Sequence, residues 1–230
     1  MSNYSKSTSH IQKLTVMAML CAIAYVCTFL MHNIPIMPSA PYLSIDPKDA
    51  IIAIGGFIFG PIEAIVMTVV VCLIEMVTIS STGVIGLVMN ILSTGVFVTA
   101  ATLLYSKKPK FQNAVVGLVI GTILMSGIMI LWNYLITPLY TGMDRALIVP
   151  MLPTVFLPFN LLKGSINSAI TLFLYKAVVT ALQKAKLLPK TEKPQNNDTK
   201  KKGITPMVMI ASLVVLATCV LIILVINGKI

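Results

Sequence analysis

Charge is what this chain has least of: 10% of its 230 residues are Asp, Glu, Lys or Arg, and only seven are acidic. A soluble domain carries roughly a quarter charged residues, so the composition excludes an ordinary globular protein. Histidine and cysteine are scarce too. His10 and His32 stand alone, and Cys21, Cys27, Cys72 and Cys219 lie in apolar stretches without the paired spacing of a zinc site or a disulfide framework. No metal site is expected, and the cysteines are expected to pack. The phosphate-cradling pattern G-x-x-x-x-G-K-S/T is absent, as are G-x-S-x-G and H-E-x-x-H, which removes ATP hydrolysis and the usual hydrolytic chemistries. The chain does not read as an enzyme, and any energy for work must come from a partner or a gradient.

Apolar sequence fills the rest. Hydrophobic residues make up 57% of the chain and the mean hydropathy is +0.94. The apolar runs are continuous and do not alternate, which disfavours a membrane barrel. A helix needs about 20 apolar residues to cross a bilayer, because only internal hydrogen bonds can satisfy its backbone there. The expected fold class is therefore an all-α integral membrane protein. Helices are expected at about 12–31, 49–60, 62–80, 84–105, 114–137, 156–183 and 205–226. The second and third together have about 30 residues, too few for two crossings, and Gly55, Gly56, Gly60 and Pro61 interrupt them. Short interrupted segments of this kind tend to lie near transport sites. Lys6 and Lys13 precede the first run and Ala22-Ile23-Ala24 lies within it, but the apolar stretch before that triplet is too short for a cleaved signal and continues through Leu30.

The formal net charge of +10 does not point to nucleic acid, because the basic residues cluster between apolar segments. With the N-terminus inside, thirteen of the seventeen basic residues fall on the cytoplasmic side, Lys48, Arg145 and Lys229 fall outside, and Lys163 lies in the membrane. That bias is the kind that sets orientation and attracts anionic lipid. The expected location is a bacterial cell membrane, with a cytoplasmic N-terminus. Residues 186–203 are polar, lysine-rich and without apolar periodicity, and read as a linker. It divides a membrane domain at 1–185 from a further C-terminal helix within 204–230, which has no ionisable residue from Met207 to Ile226.

Within the apolar segments the noteworthy polar residues are Glu75, Asn90, Asn133, Asn160, Lys163 and Asn167. An ionisable group at membrane depth costs at least roughly 2.5–3.5 kcal/mol on insertion scales, so it usually faces a partner or a polar cavity. Asn160, Lys163 and Asn167 follow at three and four residues and share one helix face. Their donors, with the acceptors of a carboxylate, suit a flat heterocycle or a polyol better than a metal ion. Two other readings stay open at this point. Glu75 and Lys163 could neutralise each other as a structural pair, or Glu75 could carry protons, although no second intramembrane acid is evident. Pro150, Pro153 and Pro158 crowd the entry to the sixth segment, and Pro35, Pro38, Pro41 and Pro47 stiffen the loop after the first; a stiff lid and a compact outer loop both fit. Ala18-x-x-x-Ala22 forms a small-residue ridge on the first helix, suited to close helix approach.

The run Leu43-Ser44-Ile45-Asp46-Pro47-Lys48-Asp49, continuing through Ile54-Gly55-Gly56-Phe57-Ile58-Phe59-Gly60-Pro61, resembles the substrate-capture subunits, or S components, of energy-coupling-factor (ECF) vitamin transporters. Pro158-Phe159-Asn160-Leu161-Leu162-Lys163-Gly164 is similar to the riboflavin-specific branch. The resemblance covers about residues 10–185. It implies a six-helix bundle, here with one extra C-terminal transmembrane helix, that binds riboflavin as a transported ligand, carries no cofactor and has no ATPase. The implied partners are a transmembrane coupling subunit and two cytoplasmic ATPases. Carried over by position, Asn160 and Lys163 match the residues that bond the isoalloxazine ring, Glu75 matches an acid near the ligand, and Asn133 is a looser match. Backbone groups around Leu43 and Asp46 would cover the pocket, and Ala18 and Ala22 match the ridge that contacts the coupling subunit. Flavin mononucleotide, another vitamin, or autonomous proton-coupled transport are the rival functions. Lys48 and Arg145 are the cations expected near the mouth.

Overall fold

The structure is a computed structural model that describes residues 9–31, 45–189 and 206–226. Leu43, Pro35, Pro38, Pro41 and His32 lie outside the described residues, as does most of the expected linker. The helices are α1 (His10–Met31), α2 (Lys48–Phe59), α3 (Pro61–Thr78), α4 (Gly83–Lys107), α5 (Phe111–Leu135), α6 (Thr137–Thr141), α7 (Arg145–Met151), α8 (Leu157–Lys184) and α9 (Pro206–Ile226). No strand occurs among the described residues. The helices α1, α3, α4, α5 and the run Arg145–Lys184 are long and apolar enough to cross a membrane. With α2 they form the expected six-helix bundle, and α9 lies against α8.

The broken second segment is the centre of this bundle. At 1.5 Å per residue, α2 is roughly 18 Å long and cannot cross a core about 30 Å thick. All twelve of its residues are buried, because α1, α3, α4 and α8 surround it. The chain leaves α2 through Gly60, whose φ of 122° is open to glycine and strained for other residues, and Pro61 then starts α3 at a position where its missing N–H costs nothing. Gly56 lets α2 meet α3 and α4. A Cβ there would stand 2.4 Å from Thr102 Cγ2 and 2.8 Å from Ala64 Cβ. The most extensive pairing is between α4 and α5, where Gly117 and Gly121 lie against the backbone of Ala101 and Phe97.

The proline-rich entry to the sixth segment is helical, not a loop. Pro150 lies inside α7, Pro153 in a π-helical turn at Leu152–Phe156, and Pro158 in the first turn of α8. A proline lacks the N–H that a regular turn needs, and a widened turn accommodates the gap. The loop on which both the lid and the compact-loop readings rested is thus replaced in this stretch by helix; residues 145–184 form one continuous helical run.

The two ends of the bundle differ in chemistry. At one end Lys13 in α1 pairs with Glu63 in α3, above a cluster of Phe57, Tyr105 and Tyr175. At the other, the start of α2 brings Asp46, Lys48 and Asp49 against Glu75 and Lys163. Cys21, Cys72 and Cys219 are buried free thiols and Cys27 is half-buried, in keeping with a packing role.

Candidate functional site

Five ionisable side chains meet around the first turn of α2. Lys48 Nζ donates to Glu75 Oε2 at 2.6 Å and lies 3.9 Å from Asp46 Oδ2. Lys163 Nζ donates to Asp46 Oδ2 at 2.5 Å and lies 3.7 Å from Asp49 Oδ2. The Thr94 hydroxyl donates to Asp49 Oδ1 at 2.6 Å. All of these residues are buried, Lys48 completely. Three carboxylates against two ammonium groups leave the cluster one formal negative charge.

Local sequence explains how the groups arrive. Pro47 precedes the first turn of α2, and Lys48 and Asp49 leave that turn in different directions toward α3 and α4. On α8, Asn160, Lys163 and Asn167 share the buried face, as their spacing predicts. Each asparagine is anchored to its own helix: Asn160 Nδ2 donates to the Phe156 carbonyl at 2.8 Å, and Asn167 Nδ2 donates to the Lys163 carbonyl at 3.1 Å.

Three buried oxygens in and beside this cluster accept no hydrogen bond: Asp49 Oδ2, Glu75 Oε1 and Asn167 Oδ1. A buried acceptor left unmatched costs about 1–3 kcal/mol. Buried ion pairs are also weak stabilisers, since apolar residues of similar volume often do as well or better. A polar cluster with unmatched acceptors at the start of a fully buried helix therefore points to recognition. What it can receive is a molecule that brings N–H or O–H donors and no negative charge.

Several expectations change. Glu75 and Lys163 do not neutralise each other; Glu75 pairs with Lys48, and Lys163 with Asp46 and Asp49. Lys48 is not an outer cation but a fully buried one, committed to Glu75. Asp46 and Asp49 place two further acids beside Glu75, so Glu75 is not an isolated buried acid. Asp46 engages through its side chain, where the resemblance implied backbone groups. Asn133 is buried, but it bonds within its own region, donating to the Met129 carbonyl at 2.7 Å and accepting from Thr137 at 2.8 Å. Asn90 is half-buried. Arg145 is exposed and lies 5.6 Å from the Tyr134 ring centroid. Ala18 and Ala22 both face outward from α1, so packing within the bundle does not account for their ridge.

Lys48, Asp49 and Thr94 were missed as site residues. A signal existed for the first two: three charges within four residues, Asp46, Lys48 and Asp49, placed where the uncharged stretch of α2 begins. A helical threonine such as Thr94 carries no such signal.

Comparison with known proteins fits this geometry. The sequence profile described as "ECF transporter, substrate-specific component" matches residues 12–175. The chain belongs to that family. It is a bacterial membrane transport component, not an enzyme. Among its relatives, the riboflavin transporter RibU of Staphylococcus aureus is 32% identical over 180 residues, covering 75% of this chain and 93% of that protein. RibU of Streptococcus thermophilus is 30% identical over 183 residues, covering 75% and 85%. The riboflavin transporter FmnP of Bacillus subtilis is 31% identical over 170 residues, covering 70% and 88%. A solved structure of the S component of a bacterial ECF transporter superposes with a TM-score of 0.65 at 30% identity, covering 76% of this chain and 99% of that one. The S-component match spans both the ion cluster and the outward ridge of α1.

Proposed function

We propose that this chain is the riboflavin-binding S component of an ECF vitamin transporter, working with a transmembrane coupling subunit and two cytoplasmic ATPases. The observation that carries the reading is the set of acceptors without a hydrogen bond, Asp49 Oδ2, Glu75 Oε1 and Asn167 Oδ1, in and beside a cluster of net negative formal charge. Riboflavin supplies what the cluster lacks: an imide N–H on its ring and hydroxyl donors on its ribityl chain. Lys163 and Asn160 would address the isoalloxazine ring, and Glu75 an adjacent donor. Asn133 would line the pocket from α5, and Leu43 and Asp46 would cover it. Relatives named as riboflavin transporters, at 30–32% identity over most of their length, support the same substrate.

The charge distribution argues against flavin mononucleotide. A phosphate needs free cations, and both buried lysines already serve carboxylates. Orientation follows from the basic clusters, with the N-terminus cytoplasmic and the site toward the outer side. Residues 1–185 would form the binding domain, 186–203 the basic linker and 204–230 the additional helix. The outward Ala18 and Ala22 would form the face that meets the coupling subunit.

Riboflavin's own fluorescence provides the test. Titration with the detergent-purified chain should quench it to saturation near one equivalent, while flavin mononucleotide binds far more weakly. Lys163→Ala and Asn160→Ala should each weaken binding by about 1–3 kcal/mol through a lost donor. Wild-type affinity in both variants would refute the site. Ala18→Trp should bind riboflavin normally yet block uptake when the partner proteins are present. Uptake by this chain alone, collapsing with the pH gradient, would favour the proton-coupled rival.

A further inference from the structure

We propose that α9 is a positioning helix for the ligand site, packing on the back of α8 and completing the hydrophobic cluster that also holds Ile45, so that the two elements bearing Lys163 and Asp46 keep one arrangement and release ligand slowly. The inference rests on the riboflavin-binding reading.

The seam is specific in its residues. On α9, Ser212, Leu216, Cys219 and Ile223 are buried or half-buried, while Leu213, Val214, Val220 and Leu221 are exposed. Their spacing of four, three and four residues makes one stripe along the helix. The stripe meets Val155, Phe159, Leu162 and Ile166, which repeat with the same spacing, and together they form a hydrophobic cluster separate from the main core. Phe159, Leu162 and Ile166 of α8 interleave with Asn160, Lys163 and Asn167, so one face of α8 serves the site and the adjoining face serves α9.

Ile45 packs into this same cluster and immediately precedes Asp46, whose carboxylate bonds Lys163. The cluster that α9 completes therefore lies beside both halves of the Asp46–Lys163 tie, through Leu162 and Ile166 on α8 and through Ile45. In a membrane, apolar surface gains little by leaving lipid, and helix association depends on shape-matched packing. A seam that joins α8, α9 and Ile45 in one cluster limits how far they can part. Nothing in the matched family region supplies it: the match ends at residue 175 and α9 begins at Pro206.

The full-length chain with riboflavin as probe tests this. Dissociation is followed by the return of flavin fluorescence in a stopped-flow chase, and association by its quenching. Leu216→Ala and Ile223→Ala should each speed dissociation at least about tenfold and leave association nearly unchanged, because loosening a packed contact acts mainly on the off-rate. Val214→Ala and Leu221→Ala, on the exposed face, should release riboflavin at the wild-type rate. In an Asp46→Asn background the Leu216→Ala effect should shrink to about twofold or less, since residues that act through one shared tie are not additive. A thiol-reactive dye that reports exposure of the buried cysteines keeps altered release distinct from unfolding. Wild-type release in both seam variants, or equal acceleration by the exposed-face variants, overturns the role of α9. Failure of the wild-type chain to bind riboflavin overturns the functional reading, and this inference with it.

Discussion

The two ends of α2 are equally buried and built from opposite materials. Its first turn holds Lys48 and Asp49, at 0% exposure, in a web of ions. Its last turn holds Phe57 and Phe59, with Phe57 packed 4.7 Å from the Tyr105 ring and 5.9 Å from the Tyr175 ring, next to the close approach at Gly56. The apolar end follows from shape alone, since any set of side chains that fills the space would serve. The charged end is held only by mutual satisfaction, and removing one member exposes the rest to a low-dielectric interior without a partner. That contrast is why the proposed site is put at the charged end, because a bundle has no structural need to keep charges that apolar residues could replace.

Breaking the charged end should have the largest effect. Lys48→Met leaves Glu75 an uncompensated buried carboxylate and should cost about 3–5 kcal/mol of stability. Adding Glu75→Leu should recover most of that loss while abolishing riboflavin binding. Dye-monitored thermal unfolding of the purified chain reads both, and a single variant as stable as wild type would dissolve the contrast.

The apolar end should fail differently. Gly56→Val forces side-chain atoms into Thr102 and Ala64 and should cost toward the upper part of about 1–3 kcal/mol. Riboflavin affinity of the protein that remains folded should stay at the wild-type value. An affinity loss matching that of Lys163→Ala would mean the ends are not separable.

A finer cut lies at Thr94, the donor to Asp49. Thr94→Val should cost about 1–2 kcal/mol in stability and weaken riboflavin binding, because Asp49 stands beside the Lys163 ammonium. Thr94→Ser should restore both. Equal behaviour of the valine and serine variants would reduce Thr94 to a space-filler.

The smallest effect is expected at the tyrosine pair, whose hydroxyls are 3.2 Å apart. Tyr105→Phe should change stability by about 1 kcal/mol or less and leave binding unaltered. A measurable loss of affinity would extend the site to the far end of the bundle.

Much of the fold was legible because it depends on neighbours in sequence. The expected segments 62–80 and 84–105 differ by one or two residues at each end from Pro61–Thr78 and Gly83–Lys107. Helix ends follow from where apolar runs stop and where Gly60 and Pro61 fall. The common face of Asn160, Lys163 and Asn167 was legible for the same reason. The burial of Lys48 was not. Its position beside Pro47, after a loop, read as an outer surface, and only the surrounding helices bury it. The proline-rich stretch before α8 also misled, because a π-helical turn can absorb prolines that would end a regular helix.

Sequence by itself determined that this protein is an all-helical membrane bundle, with a helix broken at Gly60 and a polar face on its sixth segment, because hydropathy and helical periodicity are local properties of a chain. Tertiary structure alone decided which charge answers which. Glu75 finds Lys48 across 27 residues, Asp49 finds Thr94 across 45, and Lys163 finds Asp46 across 117. Those partnerships depend on the relative register of separate helices, which close contacts such as Gly56 against Thr102 and Ala64 set in space and no local pattern records.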